Sequence, residues 1–78
     1  MREKKLWLII TFHTTTAAMA MESLCTEKGL PGRLIPVPRE ITAGCGMSWR
    51  APVENKNELI EAAEQAGIAT DGAYEIVI

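Results

Sequence analysis

Leu6-Trp7-Leu8-Ile9-Ile10-Thr11-Phe12 is an aliphatic, aromatic and β-branched run whose reading decides the fold. A strand with one wet face alternates apolar and polar residues, and this one barely does. Both of its faces must therefore be covered, which places it inside its sheet rather than at an edge. Alternation puts Leu6, Leu8, Ile10 and Phe12 on one face and Trp7, Ile9 and Thr11 on the other.

Downstream, the period changes. From about Thr14 to Lys28, Ala17, Met21, Leu24 and Cys25 recur at helical spacing, with Glu22 and Glu27 outside that stripe. A threonine at the start caps this helix and Gly29 ends it. Gly32 to Pro38 reads as a second strand, and Pro36, which has no N–H for a ladder, assigns it to an edge. Met47 to Ala51 reads as a third strand stopped by Pro52. Asn55, with Glu58 three residues on, marks a second helix start. Leu59, Ala62, Ala63 and Ala66 form its buried stripe and Gly67 closes it. After a turn at Asp71-Gly72, Ala73 to Ile78 is the last strand. The order βαββαβ predicts an α+β, ferredoxin-like sandwich spanning residues 1–78 as one domain. Its sheet order is 4-1-3-2, with both helices on one face. The opposite face, carrying Trp7 and Ile9, is too apolar for free solvation, which predicts a homodimer or a protein partner there.

Composition narrows the function classes. A chain of 78 residues builds a modest core, but not a core plus an enclosed active-site cavity. A formal net charge of -2 and only two Trp, one Tyr and one Phe argue against nucleic acid, which wants a basic face or stacking platforms. Residues 1–20 imitate a secretory signal, with a basic head, an apolar run and Ala18-Met19-Ala20. The apolar run is short, His13-Thr14-Thr15-Thr16 follows it at once, and cleavage would remove the central strand. No other stretch is suited to span a membrane. The expectation is a cytoplasmic protein with reduced thiols.

Chemistry, on this reading, belongs to Gly44-Cys45-Gly46. A cysteine kept for packing sits among bulky apolar neighbours. Cys45 sits between glycines, so its sulfur should be reachable, and successive N–H groups in such a turn converge on an anion. The topology brings the end of the first strand, the start of the first helix and this loop to one end of the sheet. Cys45, Gly44 and Gly46 should then lie near His13, Thr14 and Thr15. The helix N-terminus, threonine hydroxyls, Arg39 and His13 would all favour a thiolate. Blander readings stand beside these: a tight turn with an incidental cysteine, a solvated Arg39-Glu40 pair, a structural His13 and capping threonines. Cys25 falls about eleven residues into the helix, roughly 16 Å along its axis, so a Cys25–Cys45 bridge is disfavoured. Two cysteines and one histidine do not fill a zinc site.

Leu34-Ile35-Pro36-Val37-Pro38-Arg39-Glu40-Ile41, followed by Gly44-Cys45-Gly46, resembles the signature of a family of small bacterial domains described as selenium/sulfur carrier protein-like. Phe12, Glu22 and Gly72 to Ile76 continue the likeness over most of the chain. The resemblance implies that Cys45 holds sulfur or selenium, as a persulfide or selenosulfide, between a desulfurase-like donor and an acceptor protein. It implies a carrier rather than a stand-alone enzyme, with no metal or organic cofactor. Two other readings stay open. One is a regulatory or protein-binding module dimerising through the open sheet face, with Cys45 incidental. The other is a thiol redox protein forming an intermolecular Cys45–Cys45 disulfide.

Overall fold

The computed structural model describes residues 4–41 and 45–78. The chain forms β1 (Leu6–Phe12), α1 (Thr15–Lys28), β2 (Arg33–Pro36), β3 (Met47–Pro52), a 3₁₀ turn (Val53–Asn55), α2 (Lys56–Gln65) and β4 (Thr70–Val77). The strands make one antiparallel sheet in the order β2-β3-β1-β4. Read backwards, this is the 4-1-3-2 order, and the architecture is the α+β ferredoxin-like one.

The apolar run of β1 has the environment its composition demands. Leu8, Ile9, Ile10, Thr11 and Phe12 are each 0% exposed. On the helix side, Leu8, Ile10 and Phe12 join Trp49 and Ala51 of β3, Ala18, Met21 and Cys25 of α1, and Leu59 and Ala63 of α2 in one cluster. Each large apolar side chain buried this way contributes about 1.5–3 kcal/mol against exposure.

Helix α1 begins and ends where its sequence says. The Thr14 side chain accepts from the Ala17 N–H at 3.1 Å. At the other end Gly29 turns left-handed at φ 70°, and the Cys25 carbonyl receives the closing N–H groups of Gly29 and Leu30. Ala18, not Ala17, is its fully buried alanine; Ala17 and Leu24 lie half-buried at the margin of the stripe.

Four boundaries differ from the sequence reading. β2 is shorter, running from Arg33 to Pro36, although the Val37 N–H still donates to the Gly46 carbonyl at 3.0 Å, in register with the ladder. The Asn55 side chain does not cap the backbone of α2; its Nδ2 donates to the Glu58 carboxylate at 2.9 Å, after a 3₁₀ turn that redirects the chain. Ala66 is exposed, since α2 ends one residue before it, and Leu59 and Ala63 alone are fully buried. Asp71 and Gly72 lie inside β4 and form no turn before it. Gly72 pairs with Thr11, and the register shifts between Thr11 and Phe12 as in a β-bulge.

The face opposite the helices is better covered than composition suggests. Ile9 is flanked across the sheet by Arg50 and Tyr74 and is completely buried within the chain. Trp7 is half-buried, with the Lys5 ammonium 4.6 Å and the Arg50 guanidinium 4.4 Å from its ring centre. Among the described residues, no helix is long and apolar enough to cross a membrane.

Candidate thiol site at the end of the central strand

The loop between β2 and β3 is stapled at its base by the Val37 N–H to Gly46 carbonyl bond. Pro38 to Ile41 closes a turn, the Ile41 N–H donating to the Pro38 carbonyl at 2.9 Å. Ile41 is 7% exposed, so its side chain anchors the loop to the body of the domain. Gly44, an expected part of the site, lies outside the described residues.

At the far end of the loop, the Cys45 N–H donates to the Phe12 carbonyl at 3.0 Å. That bond ties the cysteine backbone to the last residue of β1, two residues before the Thr14 cap of α1. Gly46 follows at φ 92°, a left-handed conformation that side chains disfavour. No atom lies within 4 Å of where a Cβ would stand, so the backbone angle and not space calls for glycine.

The sulfur itself is half-buried. It lies against the apolar cluster under the helices, and its S–H reaches the Met47 carbonyl at 3.8 Å, a weak contact. Rotation about its Cα–Cβ bond would turn the sulfur away from that carbonyl.

The other expected residues are distributed around this point. Thr14 is the helix cap and Thr15 the first, exposed residue of α1. Arg39 is exposed in the Pro38–Ile41 turn, and no ion pair among the described residues involves it. His13 is exposed and directed to β4: its Nδ1 lies 3.5 Å from Asp71 Oδ1. The other Asp71 oxygen accepts from the buried Thr11 hydroxyl at 3.3 Å. Asp71 thus belongs to this end of the sheet, although its Asp-Gly pair reads as a turn. The available signal was Gly72 next to an alternating run, which marks a bulge inside a strand as well as a turn before one.

The second cysteine has a different character. Cys25 is 1% exposed in the helix-side core, and burial pushes its thiol up to about 11. Both cysteines are free, and Cys45 is the accessible one. Among the described residues, no group of three or more His, Cys, Asp or Glu is placed to hold a metal ion.

No curated protein and no solved structure matches the chain significantly. A family model does match, over residues 8–75, which takes in most of β1, both helices, the cysteine loop and most of β4. The chain belongs to the family described as "Putative Se/S carrier protein-like".

Proposed function

We propose that the protein is a cytoplasmic chalcogen carrier that holds one sulfur or selenium atom on Cys45 and passes it from a donor to an acceptor protein. The observation that carries this reading is the contrast between the two thiols in a member of this family. Cys25 is sealed in the core and resists ionisation, whereas Cys45 is half-exposed on a loop pinned to the end of β1.

The transfer balances without an external oxidant. The Cys45 thiolate attacks the outer sulfur of a donor cysteine persulfide. The donor S–S bond breaks, the donor cysteine leaves as a thiolate, and Cys45 becomes a persulfide. An acceptor thiolate repeats the step in the other direction. A donor cysteine bearing selenium in the outer position gives the selenosulfide by the same displacement. This chain supplies the nucleophile and its surroundings. The turn N–H of Gly46, and the α1 N-terminus at Thr14 and Thr15, would stabilise the anion once the sulfur turns from the Met47 carbonyl. Arg39 and His13 would add positive charge at the mouth. No resident metal or organic cofactor enters the scheme.

Incubation with a cysteine desulfurase and cysteine, followed by intact-mass measurement, tests it. A gain of one sulfur mass, removed by reductant and missing in Cys45→Ala, is the expected result. No gain on the wild-type chain, or an equal gain on Cys45→Ala, overturns it.

A further inference from the structure

A second feature lies at the opposite end of the sheet and on the opposite face from Cys45. Arg33 of β2 and Arg50 of β3 stand directly across from one another in the ladder. Like charges in that relation repel, and a sheet normally avoids the arrangement or interposes an anion. Neither guanidinium has a carboxylate within salt-bridge distance among the described residues, where the ion pairs are His13–Asp71 and Lys56–Glu75. Lys5 adds a third cation, its ammonium 4.6 Å from the Trp7 ring that Arg50 also covers. The Nε atom of Arg50 is buried and has no hydrogen-bond partner. Leaving a buried charged donor unpaired is unfavourable, so a missing acceptor is the direct physical reading.

Space for that acceptor exists. Trp7, Pro31, Gly32, Arg33, Arg50 and Pro52 line an open cleft of about 260 Å³. That is below the roughly 300–1,000 Å³ of sites for drug-sized ligands, which sets the occupant as a small ion or a short molecule carrying one. Two guanidinium groups on the cleft, with a third cation on the Trp7 ring and no ion-paired carboxylate among the described residues, call for more than a single negative charge. Two planar guanidinium forks match an oxyanion with several oxygens better than a halide.

We propose that the cleft between Arg33 and Arg50, walled by Trp7, binds a small tetrahedral dianion of the phosphate or sulfate class, free or as the monoester of a small molecule. The site is independent of the Cys45 thiol, so it stands or falls apart from the carrier reading.

Titration with inorganic phosphate, followed by ¹H–¹⁵N spectra at ionic strength held constant with sodium chloride, tests the proposal. Saturable shifts of the Arg50 Nε–H and Trp7 indole N–H signals are expected, with the Cys45 amide unmoved. Arg33→Ala, a change on an exposed edge strand that spares the core, should weaken binding roughly tenfold or more. Arg50→Lys keeps the charge but loses the fork, and should weaken binding comparably. Cys45→Ser should bind as the wild type does. Methyl phosphate, run in parallel, distinguishes a monoester from the free ion by which binds more tightly. Shifts that chloride reproduces, no saturation, or unchanged affinity in Arg33→Ala would each overturn the assignment.

Discussion

Gly32→Ala offers a severe test of how the edge strand is joined to the core. Gly32 enters β2 at φ 128°, a backbone conformation that an alanine rarely adopts. A Cβ built there would overlap the Trp49 indole, standing 2.6 Å from its Cε2 and 2.7 Å from the Arg50 carbonyl oxygen. Backbone cannot give way, and Trp49 is only 2% exposed, so the indole has nowhere to retreat. Moving it also breaks the Nε1–H bond to the Pro31 carbonyl at 3.2 Å. Strain of about 1–3 kcal/mol adds to about 1–3 kcal/mol for a buried donor left unpaired, and the middle of the two ranges gives a loss of about 4 kcal/mol. At about 4–8 °C per kcal/mol for a domain of this size, the melting temperature should fall by some 15–30 °C. Gly46→Ala is the control: its φ is also positive, at 92°, but open space surrounds the site. It should cost about 1–2 kcal/mol, from backbone strain alone. Urea denaturation of both variants, read by tryptophan fluorescence, decides the matter. A Gly32→Ala loss within about 1 kcal/mol of the Gly46→Ala loss would refute the packing argument.

Other outcomes follow from the same structure. Iodoacetamide at neutral pH should label the native chain at Cys45 and reach Cys25 only after denaturation; peptide mapping reads the difference, and equal labelling of both native cysteines would contradict their burial. Stability should also fall in alkali because of Cys25. Its folded thiol is pushed up to about 11 from an ordinary 9.0, so its contribution is complete below pH 9 and lost as pH rises through 11. The unfolded chain releases that proton first, and the loss approaches about 3 kcal/mol. Cys25→Ala lowers stability overall but should remove this component of the slope, as urea titrations from pH 8 to 11 would show. Asp71→Ala should cost no more than about 1 kcal/mol, because the buried Thr11 hydroxyl keeps the Gly72 carbonyl, 3.4 Å away, as a second acceptor. A loss well beyond that, measured by urea denaturation, would mean that Asp71 bears more of the fold than its contacts imply.

How far the residues foretell all this depends on how local the cause is. β1 is legible because an unbroken apolar run needs cover on both faces, and β2 because Pro36 has no N–H to give an inner ladder. The caps of α1 at Thr14 and Gly29 are equally local, and all three readings hold. The start of β4 is not local. Whether Asp71-Gly72 turns or continues depends on the pairing of Gly72 with Thr11 and Thr70 with Phe12, far away in sequence. That same pairing hands Asp71 to His13, a partnership that a histidine at a strand end does not announce. Topology does bring the Cys45 backbone to the end of β1, through its bond to the Phe12 carbonyl. The orientation of the sulfur toward the Met47 carbonyl is a matter of side-chain packing that spacing does not encode. Ile9 makes the converse case: an apolar residue on the face away from the helices proves wholly buried, with cross-strand neighbours Arg50 and Tyr74 beside it.

The carrier account rests on which of two sulfur atoms accepts the transferred one. Fragmentation mass spectrometry of the chain loaded by a desulfurase with ³⁴S-labelled cysteine locates that atom directly. The account predicts a single labelled sulfur on Cys45, released by dithiothreitol, with Cys25 unmodified. Label on Cys25, or label surviving in Cys45→Ala, would contradict it.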